Sequence, residues 1–191
     1  MHNALLGAWA TREVRDRVCA GLTGDVVEIG HGSGLNQPYL TTAVTGVWAV
    51  EPSATALRLG AGRRAASPMP VVVAGDDAQS LPFPDDRFDG ALCTWVLCSL
   101  PDPLAALTEL ARVLKPGAAL HLVEHGLAPD PDVVRWQRRG NRVNQAVSGC
   151  VLDNDVPGLL DASPLTVTEL THSYLGAPRA AVSMYEGRAT A

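Results

Sequence analysis

The sequence predicts an α/β fold: a seven-stranded, mostly parallel sheet with helices on both faces, closed at its C-terminal end by an antiparallel β-hairpin. Three observations predict it. Short β-branched runs alternate with longer helical segments through the first two thirds of the chain. The first run ends in a glycine-rich turn, "DVVEIGHGSGLN". The last two runs, "PLTVTELTHSYL" and "RAAVSMYEGRATA", have no long helix between them and must therefore pair antiparallel.

Each element has its own signal. "DVVEIG", "TGVWAVEP", "MPVVVAGD", "RFDGALCTWV" and "AALHLVEHG" read as five buried parallel strands. Helices are expected over residues 36–43, 53–64 and 103–114. The last of these starts at "PDP" and stops at "LKPG". After the fifth strand comes a long helix, Pro131–Ser148, and then a short one, Val156–Ala162. In the long helix Val133, Trp136, Gly140, Val143 and Val147 share one face, expected to pack on the core. Trp136 there is also a candidate cap on an apolar substrate pocket. Arg135, Arg138, Arg139 and Arg142 fall nearer the opposite face, which reads as a solvated surface rather than a lipid-binding stripe.

Composition narrows the function classes. The 191 residues, 47% hydrophobic and 18% charged, read as one globular domain over residues 1–191, with a short helical lead-in (1–22) and a helical cap or substrate region (125–163). A net charge of -5 and a pI of about 5.4 argue against nucleic-acid binding. No stretch has the length of a membrane span or the apolar core of a signal peptide, so the expectation is a cytoplasmic protein. Cys19, Cys93, Cys98 and Cys150 show no zinc-ligand spacing; they are expected to be thiols, and no metal is expected. The sequence does not reveal the oligomeric state.

The glycine turn stands where open α/β sheets bind ligands, at the carboxyl end of a strand. It is not a dinucleotide fingerprint, because the sixth position counted from Gly30 is Leu35; nor does Lys-Ser or Lys-Thr follow, as in a phosphate-binding loop. What surrounds it is acidic. Glu28 precedes the turn, Glu51 ends the second strand, and Asp76 and Asp77 end the third. Glu51 has the spacing at which a carboxylate accepts both ribose hydroxyls of an adenosine. Three acidic strand ends suit a cationic ligand rather than a polyphosphate.

"VVEIGHGSG", "AVEPS", "AGDDAQSLPFPDDRFDGAL" and "LARVLKPGAALHLVEHG" resemble the class I S-adenosylmethionine-dependent methyltransferases, whose fold is Rossmann-like. The resemblance runs from about residue 20 onward. It implies S-adenosylmethionine as cofactor, S-adenosylhomocysteine as product and a small-molecule methyl acceptor. It further implies that Glu28, Gly30, His31, Gly32 and Gly34 surround the methionine part and ribose, that Glu51 takes the ribose hydroxyls, and that Pro52 and Ser53 flank the adenine. Asp76, Asp77 and Ala78 would line the adenine edge, with Cys93 and Thr94 under the methionine amino end.

"CTWVLCSLPDP", "LVEHGLAPDPDVVRWQ", "SGC" and "YEGRATA" are similar to bacterial relatives of the thiol methyltransferase-like family. That likeness implies a small, fairly apolar acceptor, first of all a thiol. O- or C-methylation of a phenolic or quinone-like molecule is the alternative, and a non-catalytic cofactor-binding module is a third. His125, after the fifth strand, is the candidate base; it reads equally as a pocket wall. Glu124, its neighbour on the strand, should face the other way. Trp95 and Cys98 are candidates for the acceptor pocket, although a cysteine in so apolar a run is more often a small buried hydrophobe. Leu5, Leu6 and Trp9 are candidates for an apolar flap over it.

Overall fold

The computed structural model describes residues 10–191, so Leu5, Leu6 and Trp9 lie outside the described residues. Seven strands form one sheet in the order β3-β2-β1-β4-β5-β7-β6. β1 (Gly24–Ile29), β2 (Val44–Val50), β3 (Val71–Gly75), β4 (Phe88–Thr94) and β5 (Leu114–His125) are parallel. β7 (Ser183–Thr190) runs antiparallel to both β5 and β6 (Thr166–Tyr174), giving the expected C-terminal hairpin. Chain order reverses between β1 and β4, so the carboxyl end of β1 opens onto the crevice where such sheets bind ligands.

Alternating strand residues feed two cores, as the two-residue period of a strand requires. Val27, Ile29, Ala91, Cys93, Leu120 and Leu122 pack with Leu107 and Leu110 of α3 (Pro103–Val113) and Leu160 of α5 (Val156–Ala162). Val26, Val47, Leu92 and Val123 pack with Val14 and Val18 of α1 (Ala10–Cys19) on the other face. Helix starts follow the sequence signals. Ser53 caps α2 (Ala54–Ala65), Asp102 caps α3 and Asp155 caps α5, each side chain accepting a hydrogen bond from a first-turn amide.

Three expectations are corrected. The helix expected over residues 36–43 is only a 3-10 turn, Gln37–Tyr39. Pro38 offers no amide hydrogen, Thr41 and Thr42 are weak helix formers, and the Asn36 side chain is committed to Glu28 and Thr94. The helix ending at "LKPG" stops earlier, at Val113, because Leu114 is buried and pairs with Phe88 as the first residue of β5.

The third correction concerns α4 (Pro131–Ser148). Its apolar face does not pack on the core: Trp136, Val143 and Val147 are 64%, 68% and 70% exposed. The residues that dock the helix are polar: Gln137 is buried, and Asn141, Asn144 and Ser148 are half-buried. Loop backbone in that crevice needs partners, and amides can serve it where methyl groups cannot. Gln137, fully buried, accepts from the Ala128 amide at 2.9 Å and donates to the Gly126 and Leu152 carbonyls at 2.9 and 2.8 Å. Asn141 accepts from the Leu152 amide at 2.8 Å, and Asn144 donates to the Cys150 carbonyl at 2.7 Å. Arg135, Arg138, Arg139 and Arg142 are exposed, with Arg135 paired to Asp132 and Arg139 over the Trp136 ring.

Candidate functional site

The glycine turn leaves β1 with Gly30, Gly32 and Gly34 all at positive φ, 62°, 58° and 73°. At Gly30 no other residue fits, since a Cβ would stand 2.2 Å from a Val96 methyl. Glu28, 1% exposed, organises the turn from below. One of its oxygens lies 2.6 Å from His31 Nδ1, and the other accepts from Asn36 Nδ2 at 2.7 Å. Asn36 Nδ2 also donates to Thr94 Oγ1 at 2.9 Å, linking the turn to the end of β4. Arg15 of α1 hydrogen-bonds Asn36 Oδ1, and its guanidinium stacks on the Trp95 ring, 4.7 Å from the centroid. Burial lowers the pKa of Arg15, and the Glu28 charge opposes that shift. Arg15 and Asn36 were not read from the sequence. Arg15 sits on an element without a motif and Asn36 at the end of the glycine turn, and only the fold brings them together.

Glu51 closes the other side of the turn. Its Oε2 accepts from the Gly32 amide at 2.7 Å and its Oε1 from the Ser53 amide at 2.8 Å. An ionised carboxylate has about four lone-pair positions, so two further donors can still be accommodated. A cavity of about 640 Å³ opens beside it, lined by Gly30, Glu51, Pro52, Ser53, Asp76, Asp77 and Ala78 along one side. Trp95, Val96, Ser99, Leu100 and Pro101 line the side under β4, with Ser148 from the end of α4. A second cavity, about 240 Å³, shares Gly30 and Trp95 with the first and adds Arg15, His31, Gly32, Asn36 and Thr94. Gly34 touches His31 rather than this space: a Cβ there would lie 3.2 Å from His31 Nε2. A third concavity, about 280 Å³, lies away from the strand ends, among Arg17, His121, Glu186 and Arg188.

The fold thus gathers most of the sequence-derived candidates around two adjoining cavities. Trp95 sits at their junction with φ +56°, an unfavourable conformation for a bulky residue. Its Nε1 donates to Met184 Sδ at 3.2 Å. Glu28 lies beneath the turn and lines neither cavity. Cys93 is fully buried under the β4 end, its thiol 3.2 Å from Glu124 Oε1. Burial raises the Cys93 pKa, and the adjacent carboxyl raises it further. Trp136 is on the exposed face of α4, away from both cavities' linings.

Neighbours on β5, Glu124 and His125 take different partners. Glu124 is fully buried and accepts from the Val96 amide at 2.7 Å, holding the turn that follows β4. Burial pushes its carboxyl up to about 7, against the opposing effect of the amide donors. A carboxyl in the apolar run "LHLVEHG" was the available signal for this role. His125, 4% exposed, has its Nδ1 3.8 Å from Cys98 Sγ and 3.5 Å from Cys150 Sγ, and lines neither cavity described above. The Cys98 pKa is raised well above its ordinary value by the contact with Cys150 and by burial. The two thiols and the imidazole converge from separate segments, which sequence spacing alone could not show.

Comparison with known proteins decides the family. The profile described as "Methyltransferase domain" matches residues 27–122, half of the chain. The chain belongs to this methyltransferase domain family. It is 33% identical over 125 residues to a demethylmenaquinone methyltransferase of Clavibacter sepedonicus, covering 65% of this chain and 51% of that protein. It is 29% identical over 168 residues to the O-methyltransferase rstn1 of Aspergillus nomiae, covering 84% and 72%. The match to the demethylmenaquinone enzymes spans about half of their length. In structure the chain is similar to the N-methyltransferase NodS of Bradyrhizobium japonicum, solved with S-adenosylhomocysteine. The TM-score is 0.67 at 18% identity, over 96% of this chain and 85% of that one. The fold is therefore the Rossmann-like class I methyltransferase fold, as the motifs implied. Among the described residues no helix is long and apolar enough to cross a membrane.

Proposed function

We propose that this protein transfers a methyl group from S-adenosylmethionine to a small, fairly apolar acceptor. The observation that carries the reading is the Glu51 carboxylate, bound to the Gly32 amide and lining a cavity that Asp76 and Asp77 also line. When bound, S-adenosylmethionine supplies a methyl carbon already activated by its sulfonium charge. The chain's own residues do the rest. Glu51 has acceptor positions left for the ribose hydroxyls, and Pro52 and Ser53 flank the adenine. Asp76, Asp77 and Ala78 border its edge. Gly30, His31, Gly32 and Thr94 surround the amino-acid end, with Glu28, Gly34 and Cys93 supporting that wall from behind. Trp95, Val96, Leu100 and Pro101 give the acceptor an apolar surface and keep water from the reacting pair.

A thiol is the first acceptor proposed, because a fraction is already thiolate near neutral pH and it brings its own nucleophile. The names of the two relatives favour a second reading, a quinone-like ring or a phenolic hydroxyl as acceptor. Of the two roles weighed for His125, its burial against Cys98 and Cys150, outside both cavity linings, speaks against the base and supports a position behind the wall that Ser99 and Ser148 line. Calorimetric titration with S-adenosylmethionine, followed by a turnover screen of alkyl and aryl thiols beside phenols and quinols, tests all of this. Binding with methylated product supports the enzyme reading and identifies the acceptor class. Binding without product from any acceptor favours a non-catalytic cofactor-binding module, and no binding overturns the proposal.

A further inference from the structure

We propose that Cys98, His125 and Cys150 form a binding site for a thiophilic divalent metal ion, zinc being the reference case. The three ligand atoms lie within 4.8 Å of one another. Cys98 belongs to the 3-10 turn after β4, His125 is the last residue of β5, and Cys150 follows the C-cap of α4. Zinc binds cysteine sulfur at about 2.3 Å and histidine nitrogen at about 2.0–2.1 Å, so tetrahedral coordination sets sulfur and nitrogen ligands about 3.6 Å apart. The observed separations, 3.8 Å and 3.5 Å, bracket that value. Both sulfur–nitrogen distances are therefore within a few tenths of an ångström of those a tetrahedral ion requires, and the two sulfurs lie within 4.8 Å of each other.

The donor set fits in charge as well as distance. Two thiolates and a neutral imidazole balance a divalent cation, and binding would replace the two thiol protons, releasing them to solvent. The site is enclosed, with Cys98, His125 and Cys150 at 1%, 4% and 0% exposure.

The backbone that carries the ligands is fixed by contacts made to its carbonyls rather than to the ligand atoms. The Val151 amide donates to the Cys98 carbonyl at 2.8 Å, Asn154 donates to the Leu97 carbonyl at 3.0 Å, and Asn144 donates to the Cys150 carbonyl at 2.7 Å. Such outer contacts are what orient the ligands of a metal site. Three protein ligands leave a fourth position to water or another small ligand. Ser99 and Ser148, next to Cys98 and two residues before Cys150, line the larger cavity, so the ion would stand behind its wall and tie the end of α4 to β4 and β5. This inference does not rest on the methyltransferase reading.

Cobalt titration tests it. The full chain, reduced and freed of metal with a chelator under anaerobic conditions, is titrated with cobalt(II). The expected result is a sulfur-to-cobalt charge-transfer band with the visible bands of tetrahedral cobalt. These should saturate at one ion per chain and vanish when zinc is added. Cys98→Ser and Cys150→Ser should each lose the charge-transfer intensity, while Cys19→Ser, altered at a buried cysteine outside the cluster, should keep it. Because those variants can fail to fold, the wild-type chain carries an independent arm. Zinc should raise its melting temperature and protect two thiols from alkylation. Absence of tetrahedral cobalt bands in the folded wild type overturns the proposal. So does their persistence in both cluster variants.

Discussion

The Glu51 carboxylate accepts from the Gly32 amide at 2.7 Å, so the turn after β1 and the end of β2 are joined by one charge-assisted hydrogen bond. The same carboxylate accepts from Ser53, the residue that caps α2. One side chain thus fixes the glycine turn, the start of a helix and the edge of the larger cavity. It does so while keeping acceptor capacity toward the cavity. A carboxylate with this double duty should be sensitive to loss of either charge or reach.

Glu51→Ala is expected to weaken S-adenosylmethionine binding by about 10-fold to 100-fold, the effect of losing roughly 1.5–3 kcal/mol of charge-assisted hydrogen bonding. Glu51→Gln, which keeps the shape and loses the charge, should fall between it and the wild type. Calorimetric titration reads both. An unchanged affinity in Glu51→Ala would move the ribose away from the end of β2.

The strands and the glycine turn were legible in the sequence because they depend on local pattern: β-branched runs, turn residues and acidic residues at the first three strand ends. The start of α3 at "PDP" was legible for the same reason. What the sequence left unresolved is non-local. Amphipathicity showed that α4 has an apolar face and a polar one, but not which would be covered. The loops beneath it present unpaired backbone groups, and so Gln137 went in while Trp136 stayed out. His125 lies 27 residues from Cys98 and 25 from Cys150, too far for any spacing rule to join them. The 36–43 segment misled because its helical pattern was weaker than the demand of Glu28 and Thr94 for the Asn36 side chain.

Gln137→Leu should destabilise the fold. The substitution keeps about the same volume but strands the Ala128 amide and the Gly126 and Leu152 carbonyls, which Gln137 alone serves from α4. Leaving such groups buried without partners costs roughly 1–3 kcal/mol each before the loops relax. A clear fall in the denaturant midpoint is expected, measured by circular dichroism, whereas Val143→Gln on the exposed face should leave it within about 0.5 kcal/mol of the wild type. Equal effects at the two positions would mean that α4 is docked by its other side.

His121 gives the fold an acid limit. Burial lowers its pKa, partly opposed by its hydrogen bond to the Val18 carbonyl at 2.8 Å, and the Arg188 charge lowers it further. Arg17 and Glu186, paired with each other, border the same concavity. With the folded-state value below the ordinary one of about 6.5, the unfolded chain binds the proton more readily. The stability that the neutral ring contributes is therefore complete above about pH 6.5 and is lost as pH falls through the folded value. Melting temperatures from pH 8 to 4.5 should decline more steeply for the wild type than for His121→Phe. Parallel profiles would remove His121 from the acid response.

Gly30→Ala should abolish cofactor binding through geometry alone. The residue has φ +62°, and an added methyl would stand 2.2 Å from one Val96 methyl and 3.0 Å from the other. Val96 cannot retreat freely, because its amide is held by the buried Glu124 carboxyl at 2.7 Å and its side chain packs in the core. The turn must therefore shift, carrying the Gly32 amide away from Glu51. A left-handed non-glycine residue costs about 1–3 kcal/mol, so the variant should still fold with a lowered melting temperature. Its loss of S-adenosylmethionine affinity should exceed that of Glu51→Ala, since it displaces the whole turn rather than one acceptor. If titration instead gave wild-type affinity on a folded variant, the turn would not be the cofactor's seat, and the cavity beside Glu51 would have to serve another ligand.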